Sequence, residues 1–150
     1  MRRNLRYLAL LLAAMFASQP ALAYELPKPK LMAVYFWASW CPNCKVLTPE
    51  AAKARKEGDL DNKAVLFVTM DLSDAGTIHQ SSMLAQALGI APYVQKQGSG
   101  TGYIAVLDAT TKTELKRFDR TNTAEQIQGW ITAELAKGES APVKDDAAAK

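Results

Sequence analysis

An uncharged apolar run that leads straight into a helix-start pattern is the feature that most constrains this chain. Residues 31–38 carry no charge, which is typical of a strand buried on both faces of a parallel or mixed sheet. Pro42 follows shortly after, and proline is favoured in the first turn of a helix. Apolar residues then recur at helical spacing to about Glu57, with Gly58 as the expected stop. A strand followed by a helix in this way predicts an α/β fold.

The middle of the chain repeats this alternation and then becomes antiparallel. Residues 64–70 predict a second buried strand. Residues 78–88 predict a second helix, which Gly89 closes with a left-handed cap. Residues 103–107 and 113–118 flank a polar stretch, and this arrangement predicts a hairpin.

A capping box marks the last helix, because Thr123 is followed three residues later by Gln126. Its core face is predicted to consist of four apolar side chains, Ile127, Trp130, Ile131 and Leu135. The whole order is βαβαββα, which predicts a shortened α/β sandwich around a mixed central sheet.

The first 23 residues have the layout of a secretory signal peptide. Residues 1–6 are basic, residues 7–17 are apolar, and an Ala-x-Ala sequence ends at Ala23. The apolar run is shorter than the roughly 20 residues that span a membrane. A cleaved signal is therefore favoured over an uncleaved anchor, and the mature chain is expected to begin at Tyr24, in the periplasm or otherwise secreted. This gives a signal peptide at 1–23, one domain at 24–137 and a flexible polar tail at 138–150.

Removal of the signal changes the charge balance. The full chain has 18 Lys and Arg against 15 Asp and Glu, but three arginines lie within the first six residues. The mature chain therefore carries 15 basic and 15 acidic residues. No basic stripe remains to favour nucleic acid or a membrane surface as a partner, and the mature chain is not expected to be membrane-anchored.

Cys41 and Cys44 are the residues expected to carry chemistry. At the start of a helix, the Cys41 sulfur can accept hydrogen bonds from the amides of Asn43 and Cys44, and the helix dipole adds positive partial charge. Both effects favour the thiolate. Cys41, on the exposed side of the turn, is therefore expected to attack a disulfide, and Cys44 to resolve the mixed disulfide. Pro42 keeps the two sulfurs within bonding distance.

Three other interpretations of the cysteine pair fit the sequence less well. A structural zinc site needs about four ligands, whereas the chain offers two cysteines and His79. His79 lies among polar residues at a helix start and is expected to be solvated. A structural disulfide here would close almost no loop and so stabilise little, and a buried pair of free cysteines is disfavoured in an oxidising compartment. Neither a metal nor a cofactor is expected.

The segment from Phe36 to Lys45 resembles the active-site segment of the thioredoxin superfamily, and is closest to that of its exported bacterial members. Pro49 stands where thioredoxins carry a helix-kinking proline. The resemblance implies a thioredoxin-like fold and a thiol-disulfide oxidoreductase that acts on proteins with cysteines or disulfides. It implies Cys41 as the attacking cysteine and Cys44 as the resolving one.

The same resemblance implies a substrate groove beside the cysteines, and this chain departs from the family there. The family's cis-proline precedes the third core strand, and that position falls here on Thr101 and Gly102, with Pro92 as a less favoured occupant. A buried acid common below the resolving cysteine is replaced by Tyr35, while Trp37 is expected to be core. The expected groove residues are Trp40, Pro42, Asn43, Thr101 and Gly102.

The direction of electron flow is inferred from the two residues between the cysteines. Pro42 and Asn43 carry no charge to stabilise the Cys41 thiolate, and the histidine and helical insert of the superfamily's strong oxidants are lacking. Reduction or isomerisation of disulfides is therefore favoured over a disulfide-forming oxidase. The resemblance implies a membrane thiol electron relay as the electron source. A non-catalytic thioredoxin-fold binding or assembly module is the contrasting possibility, suggested by the glycine-rich residues 98–102.

Overall fold

A computed structural model describes residues 28–139, and its elements follow the predicted order with one added helix. The predicted signal peptide lies outside the described residues, as does the predicted tail beyond residue 139. Among the residues described, no helix is long and apolar enough to cross a membrane. The elements are β1 Leu31–Trp37, α1 Pro42–Glu57, a 3-10 turn Leu60–Asn62, β2 Val65–Asp71, α2 Ala75–Ala87, α3 Ala91–Gln97, β3 Tyr103–Asp108, β4 Glu114–Asp119 and α4 Ala124–Glu139.

The four strands form one mixed sheet in the order β2-β1-β3-β4. β1 pairs in parallel with β2 and antiparallel with β3, while β3 and β4 form the predicted hairpin. The mixed sheet and the thioredoxin-like order expected from the sequence are therefore confirmed. β1 lies inside the sheet, which explains why its run of residues is apolar throughout.

Alternate residues of β1 face two separate cores. Ala33 packs with α1 and α4 on one face, together with Leu47 and Ile131. Phe36 packs on the other face with α2 and α3, where Ile90 is fully buried. Each buried side chain of this size contributes roughly 1.5–3 kcal/mol relative to exposure. The two cores hold β1 rigidly, and the carboxyl end of β1 leads directly to the cysteine pair.

The start of α2 differs from the sequence expectation. The helix begins at Ala75 and not at residue 78, because Asp74 and Thr77 form a capping box in which each side chain binds the other's amide. Its predicted end is confirmed, since Gly89 has a left-handed φ of +69°. The capping box at Thr123 and Gln126 is also present at the start of α4.

The short helix α3 was not expected from the sequence. It spans seven residues, too few to show a helical repeat, and Pro92 lies in its first turn. The buried Ile90 anchors the chain just before it. Pro92 therefore starts a helix and does not occupy the position before β3, which leaves that position to Thr101 and Gly102.

Candidate active site

The turn from β1 into α1 places Cys41 at the N-terminus of the helix. The Cys41 amide donates to the Ala38 carbonyl at 3.1 Å, which closes the turn. Cys41 itself is extended, with φ −81° and ψ 113°, and serves as the N-cap of α1. Its sulfur accepts a hydrogen bond from the Cys44 amide at 3.2 Å. A side chain in this position satisfies a helix amide that would otherwise lack a partner.

Both sulfur atoms are buried, which corrects the expectation that Cys41 lies on the exposed side of the turn. Cys41 is 3% exposed and Cys44 is 0% exposed. Cys41 packs in a cluster with Ala38 and Cys44, and the segment before β3 comes close to it, since a Cβ on Gly102 would lie 3.3 Å from the Cys41 sulfur. Cys44 lies deeper, with its sulfur 3.9 Å from the Phe36 carbonyl oxygen. Both cysteines are free thiols in this structure.

The environments of the two thiols push their pKa values in opposite directions. Burial works against ionisation of Cys41, but hydrogen bonds from the Cys44 thiol, the Thr101 hydroxyl and the helix amides outweigh it and lower the pKa of Cys41. Burial raises the pKa of Cys44, and its hydrogen bond to the Cys41 sulfur raises it further. The site therefore favours ionisation of Cys41 over ionisation of Cys44.

Gly102 lies directly before β3, where the resemblance predicts Thr101 and Gly102 in place of the family's cis-proline. No cis peptide bond occurs within residues 28–139. Gly102 instead has φ +88°, and its amide donates to the Phe36 carbonyl at 2.8 Å. A Cβ at this position would come within 2.7 Å of the Asn43 Cβ. Both the backbone angle and the close approach require glycine here.

The other residues predicted to line the groove lie around the turn that carries the two cysteines. Trp40 is 58% exposed, and its indole nitrogen donates to the Ser73 carbonyl at 3.3 Å. Pro42 and Asn43 are exposed on the first turn of α1. The structure thus brings Asn43 and Gly102 together against the cysteines, with Trp40 beside them.

Trp37 and His79, which are not among the predicted groove residues, both lie at least partly at the surface. Trp37 is half-buried and lines a surface cleft, whereas it was expected in the core. His79 is exposed on α2. Within residues 28–139, no group of three or more His, Cys, Asp and Glu side chains lies close enough to hold a metal ion.

A polar network that the sequence did not indicate supports the segment carrying Thr101 and Gly102. The Arg117 guanidinium donates to Glu114 at 2.8 Å and to Gln97 at 2.9 Å, and it lies 4.2 Å from the centre of the Tyr103 ring. Tyr93 donates to the same Glu114 carboxylate at 2.6 Å. The network joins the end of α3 to β3 and β4, so it fixes both ends of the segment between them.

The sequence also did not indicate that the hydroxyl groups of Tyr35 and Thr48 lie together beside Cys44. The Tyr35 hydroxyl donates to the Cys44 carbonyl at 3.1 Å and lies 3.0 Å from the Thr48 hydroxyl. The Thr48 hydroxyl donates to the same carbonyl at 2.7 Å. Helical spacing could have placed Thr48 near Cys44, since a residue four positions after Cys44 lies on the same face of α1.

A cysteine of lowered pKa at a helix N-terminus, beside a buried cysteine of raised pKa on this four-stranded mixed sheet, defines a thiol-disulfide oxidoreductase with a thioredoxin-like fold. The family model described as thioredoxin matches residues 17–133, and the chain belongs to that family. No curated protein matches the sequence.

Solved structures similar to this chain come from several organisms. Thioredoxin-2 of the malaria parasite is 21% identical, covers 72% of this chain and 86% of its own, and has a TM-score of 0.48. StoA from Bacillus subtilis is 20% identical, with 70% and 84% covered and a TM-score of 0.45. A secreted disulfide oxidoreductase of Mycobacterium tuberculosis is 17% identical, with 71% and 83% covered and a TM-score of 0.45.

Proposed function

We propose that this protein is an exported thiol-disulfide oxidoreductase that reduces or isomerises the disulfides of other exported proteins. The observation that carries the proposal is the asymmetry of the cysteine pair. Hydrogen bonds lower the pKa of Cys41 despite its burial, while burial raises that of Cys44. Cys41 therefore ionises more readily and is the attacking thiol, and Cys44 is the resolving one.

The reaction follows from this asymmetry. The Cys41 thiolate attacks one sulfur of a substrate disulfide, and the other substrate sulfur leaves with the electron pair. Cys44 then loses its proton and attacks the Cys41 sulfur, which releases the second substrate sulfur as a thiolate. The substrate has gained two electrons, and the enzyme holds a disulfide between Cys41 and Cys44. Isomerisation results when a substrate thiolate attacks the mixed disulfide first.

The neutral surroundings of Cys41 support the reducing direction. The hydrogen bonds that lower its pKa come from a thiol, the Thr101 hydroxyl and two backbone amides, so no cationic side chain is among them. A strongly oxidising pair requires a much more stable thiolate in the reduced form. The absence of a cationic side chain among these hydrogen-bond donors favours a pair that reduces its substrates.

The reduction potential of the Cys41 and Cys44 pair tests this direction. We expect a value near about −270 mV, as for thioredoxin, when the protein is equilibrated with glutathione buffers and its oxidised fraction is measured. A Thr101→Val variant removes one neutral donor to Cys41 and should shift the potential further in the reducing direction. A value near about −120 mV, as for a strong oxidant, would instead establish a disulfide-forming oxidase.

Export is proposed from the sequence of residues 1–23, which lie outside the described part of the chain. If the signal is cleaved after Ala23, the protein recovered from outside the cytosol begins at Tyr24 when its N-terminus is sequenced. Replacing Ala21, the other small residue of the cleavage sequence, with arginine should leave the uncleaved chain. Protein that is found only in the cytosol and begins at Met1 would contradict export.

An exported reductant also needs a source of electrons, because each turnover leaves it oxidised. We therefore propose a membrane thiol relay as its partner, with the reduced thiols of the relay attacking the Cys41 and Cys44 disulfide. The cytosol is the nearest reducing compartment, and a membrane protein is required to carry electrons across.

A further inference from the structure

We propose that Arg117 is a positioning residue for the substrate groove, because it holds both ends of the segment 98–102 and so keeps Gly102 in place beside the cysteines. The inference rests on the proposed function, since it concerns the wall of the groove next to Cys41. Three of the five residues in this segment are glycines, which lose more backbone freedom on ordering than any other residue. None of the five is a proline, whose ring would restrict the backbone by itself. The segment therefore has to be held from outside.

The backbone hydrogen bonds of the segment hold its last residue most firmly. The Gly102 amide donates to the Phe36 carbonyl at 2.8 Å, which joins this end of the segment to β1. The Gly100 amide donates to the Gln97 carbonyl at 3.3 Å, which is long for such a bond. A Cβ added to Gly98 would meet no described atom within 4 Å, so the chain is open to solvent there. The first part of the segment thus depends on the residue that precedes it.

Arg117 contacts the residues on both sides of the segment. Its guanidinium donates to the side-chain oxygen of Gln97 at 2.9 Å, and Gln97 directly precedes the segment. The same guanidinium lies 4.2 Å from the centre of the Tyr103 ring, and Tyr103 directly follows the segment. The Tyr103 hydroxyl also donates to the Gln97 side-chain oxygen, at 3.3 Å. Arg117 is therefore the contact that the two ends share.

A β-bulge in β4 brings a carboxylate to Arg117. Glu114 and Arg117 are three residues apart, and in a regular strand such residues point to opposite faces. The pairing of β3 with β4 shifts between Val106 and Leu107 and leaves Leu115 as an extra residue in β4. Glu114 can therefore accept two hydrogen bonds from the guanidinium of Arg117, both at 2.8 Å. This two-point contact fixes the plane of the guanidinium.

Direct contacts connect Arg117 to the cysteine pair. The Tyr103 ring stacks on the Phe36 ring, with 4.8 Å between the ring centroids and 20° between their planes. Phe36 also accepts the Gly102 amide through its carbonyl. Gly102 lies so close to the cysteines that an added Cβ would be 3.3 Å from the Cys41 sulfur. Loss of the Arg117 contacts therefore frees the wall of the groove beside Cys41.

Arg117→Met tests this role, because it removes the guanidinium and keeps an unbranched side chain over Tyr103. The Arg117 side chain is 41% exposed, and an ion pair in contact with water adds little to stability, so the variant should fold. We expect the Gly102 amide to exchange its hydrogen about tenfold faster, the effect of freeing roughly one residue's backbone. Amides in the middle of β1 should keep their rates. Hydrogen–deuterium exchange followed by NMR measures both.

The same variant should bind a polypeptide substrate less well. We expect the KM for a peptide disulfide to rise about tenfold with little change in kcat, because the substrate then has to order the segment on binding. Attack on a small aromatic disulfide should slow less, since a small molecule contacts less of the groove. A general loss of folded protein would instead lower the rates with both substrates equally.

Two substitutions of Gln97 form a matched pair. Gln97→Met removes the oxygen that Arg117 and Tyr103 share, at nearly constant side-chain length, and should repeat both effects. Gln97→Glu keeps an acceptor oxygen at this position and should behave like the unaltered protein.

Arg55→Met is the control for the loss of a guanidinium. Arg55 is 44% exposed, pairs with Asp61 at 2.7 Å and lies 4.4 Å from the centre of the Phe67 ring, so its surroundings are similar. Its replacement should leave both the exchange of the Gly102 amide and the KM unchanged.

Three outcomes would overturn the role of Arg117 and leave the proposed function intact. They are an unchanged Gly102 exchange rate in Arg117→Met, an unchanged KM despite faster exchange, and an equal effect of Arg55→Met. If the unaltered protein reduces neither substrate, the proposed function is wrong, and so is a role for Arg117 in substrate binding. The exchange rates would then still show whether Arg117 holds the segment.

Discussion

Replacing Cys41 with serine should lower the rate at which the protein catalyses the reduction of insulin by dithiothreitol to the uncatalysed rate. The serine hydroxyl does not ionise near neutral pH, so the hydrogen bonds that lower the pKa of the Cys41 thiol have no thiolate to stabilise. The fold should persist, because serine is nearly the same size and its oxygen can still cap α1. The measurement is the rate of insulin precipitation, with circular dichroism as the check on folding.

Cys44→Ala is the matched counterpart, because it leaves the attacking sulfur in place. This variant should form a mixed disulfide with substrate and retain it, since no second sulfur resolves the bond. Its attack rate should also rise toward a plateau at higher pH than in the unaltered protein, because the hydrogen bond from Cys44 that lowers the pKa of Cys41 is lost. If neither the unaltered protein nor Cys41→Ser shows turnover, the chain is a binding module and not an enzyme.

Most of the fold is predictable from the sequence because it depends on local patterns. The apolar run of β1, Gly58 at the end of α1 and the capping box at Thr123 each specify an element without reference to distant residues. The helix α3 was not predicted, because seven residues cannot display a helical repeat. Its stability comes from long-range contacts. These include the hydrogen bond from Arg117 on β4 to Gln97 at the end of the helix.

In the candidate site, too, the local features were predictable from the sequence and the contacts between distant residues were not. The cysteine spacing and the proline of α1 predict a capped thiolate, because both belong to one turn of chain. The burial of Cys41 could not be predicted, since it depends on packing in the folded chain, where the pairing of β1 with β3 brings the remote Gly102 close to the Cys41 sulfur. The contact between Tyr35 and Thr48 likewise joins a strand to a helix. Sequence thus indicates which atoms react, and the fold determines what surrounds them.

Gly102→Ala should destabilise the protein and slow the attack by Cys41. At φ +88° a residue with a Cβ costs about 1–2 kcal/mol. The added methyl would also lie 2.7 Å from the Asn43 Cβ, and overpacking of this kind costs about 1–3 kcal/mol more. Together we expect a loss of about 2–5 kcal/mol in the free energy of unfolding. Denaturant unfolding measures this directly.

Gly98→Ala separates the two causes, because Gly98 also has a positive φ of +61° but no atom within 4 Å of its added Cβ. This variant should lose only the backbone contribution, about 1–3 kcal/mol at its φ of +61° and ψ of −133°, and keep its rate of attack on an aromatic disulfide. In Gly102→Ala the added methyl group would lie 3.3 Å from the Cys41 sulfur, where it should block the approach of a substrate sulfur. A barrier raised by about 1.4 kcal/mol would slow that attack about tenfold. If Gly102→Ala matches Gly98→Ala in both stability and rate, then the close approach of Gly102 to the cysteine turn does not shape the site.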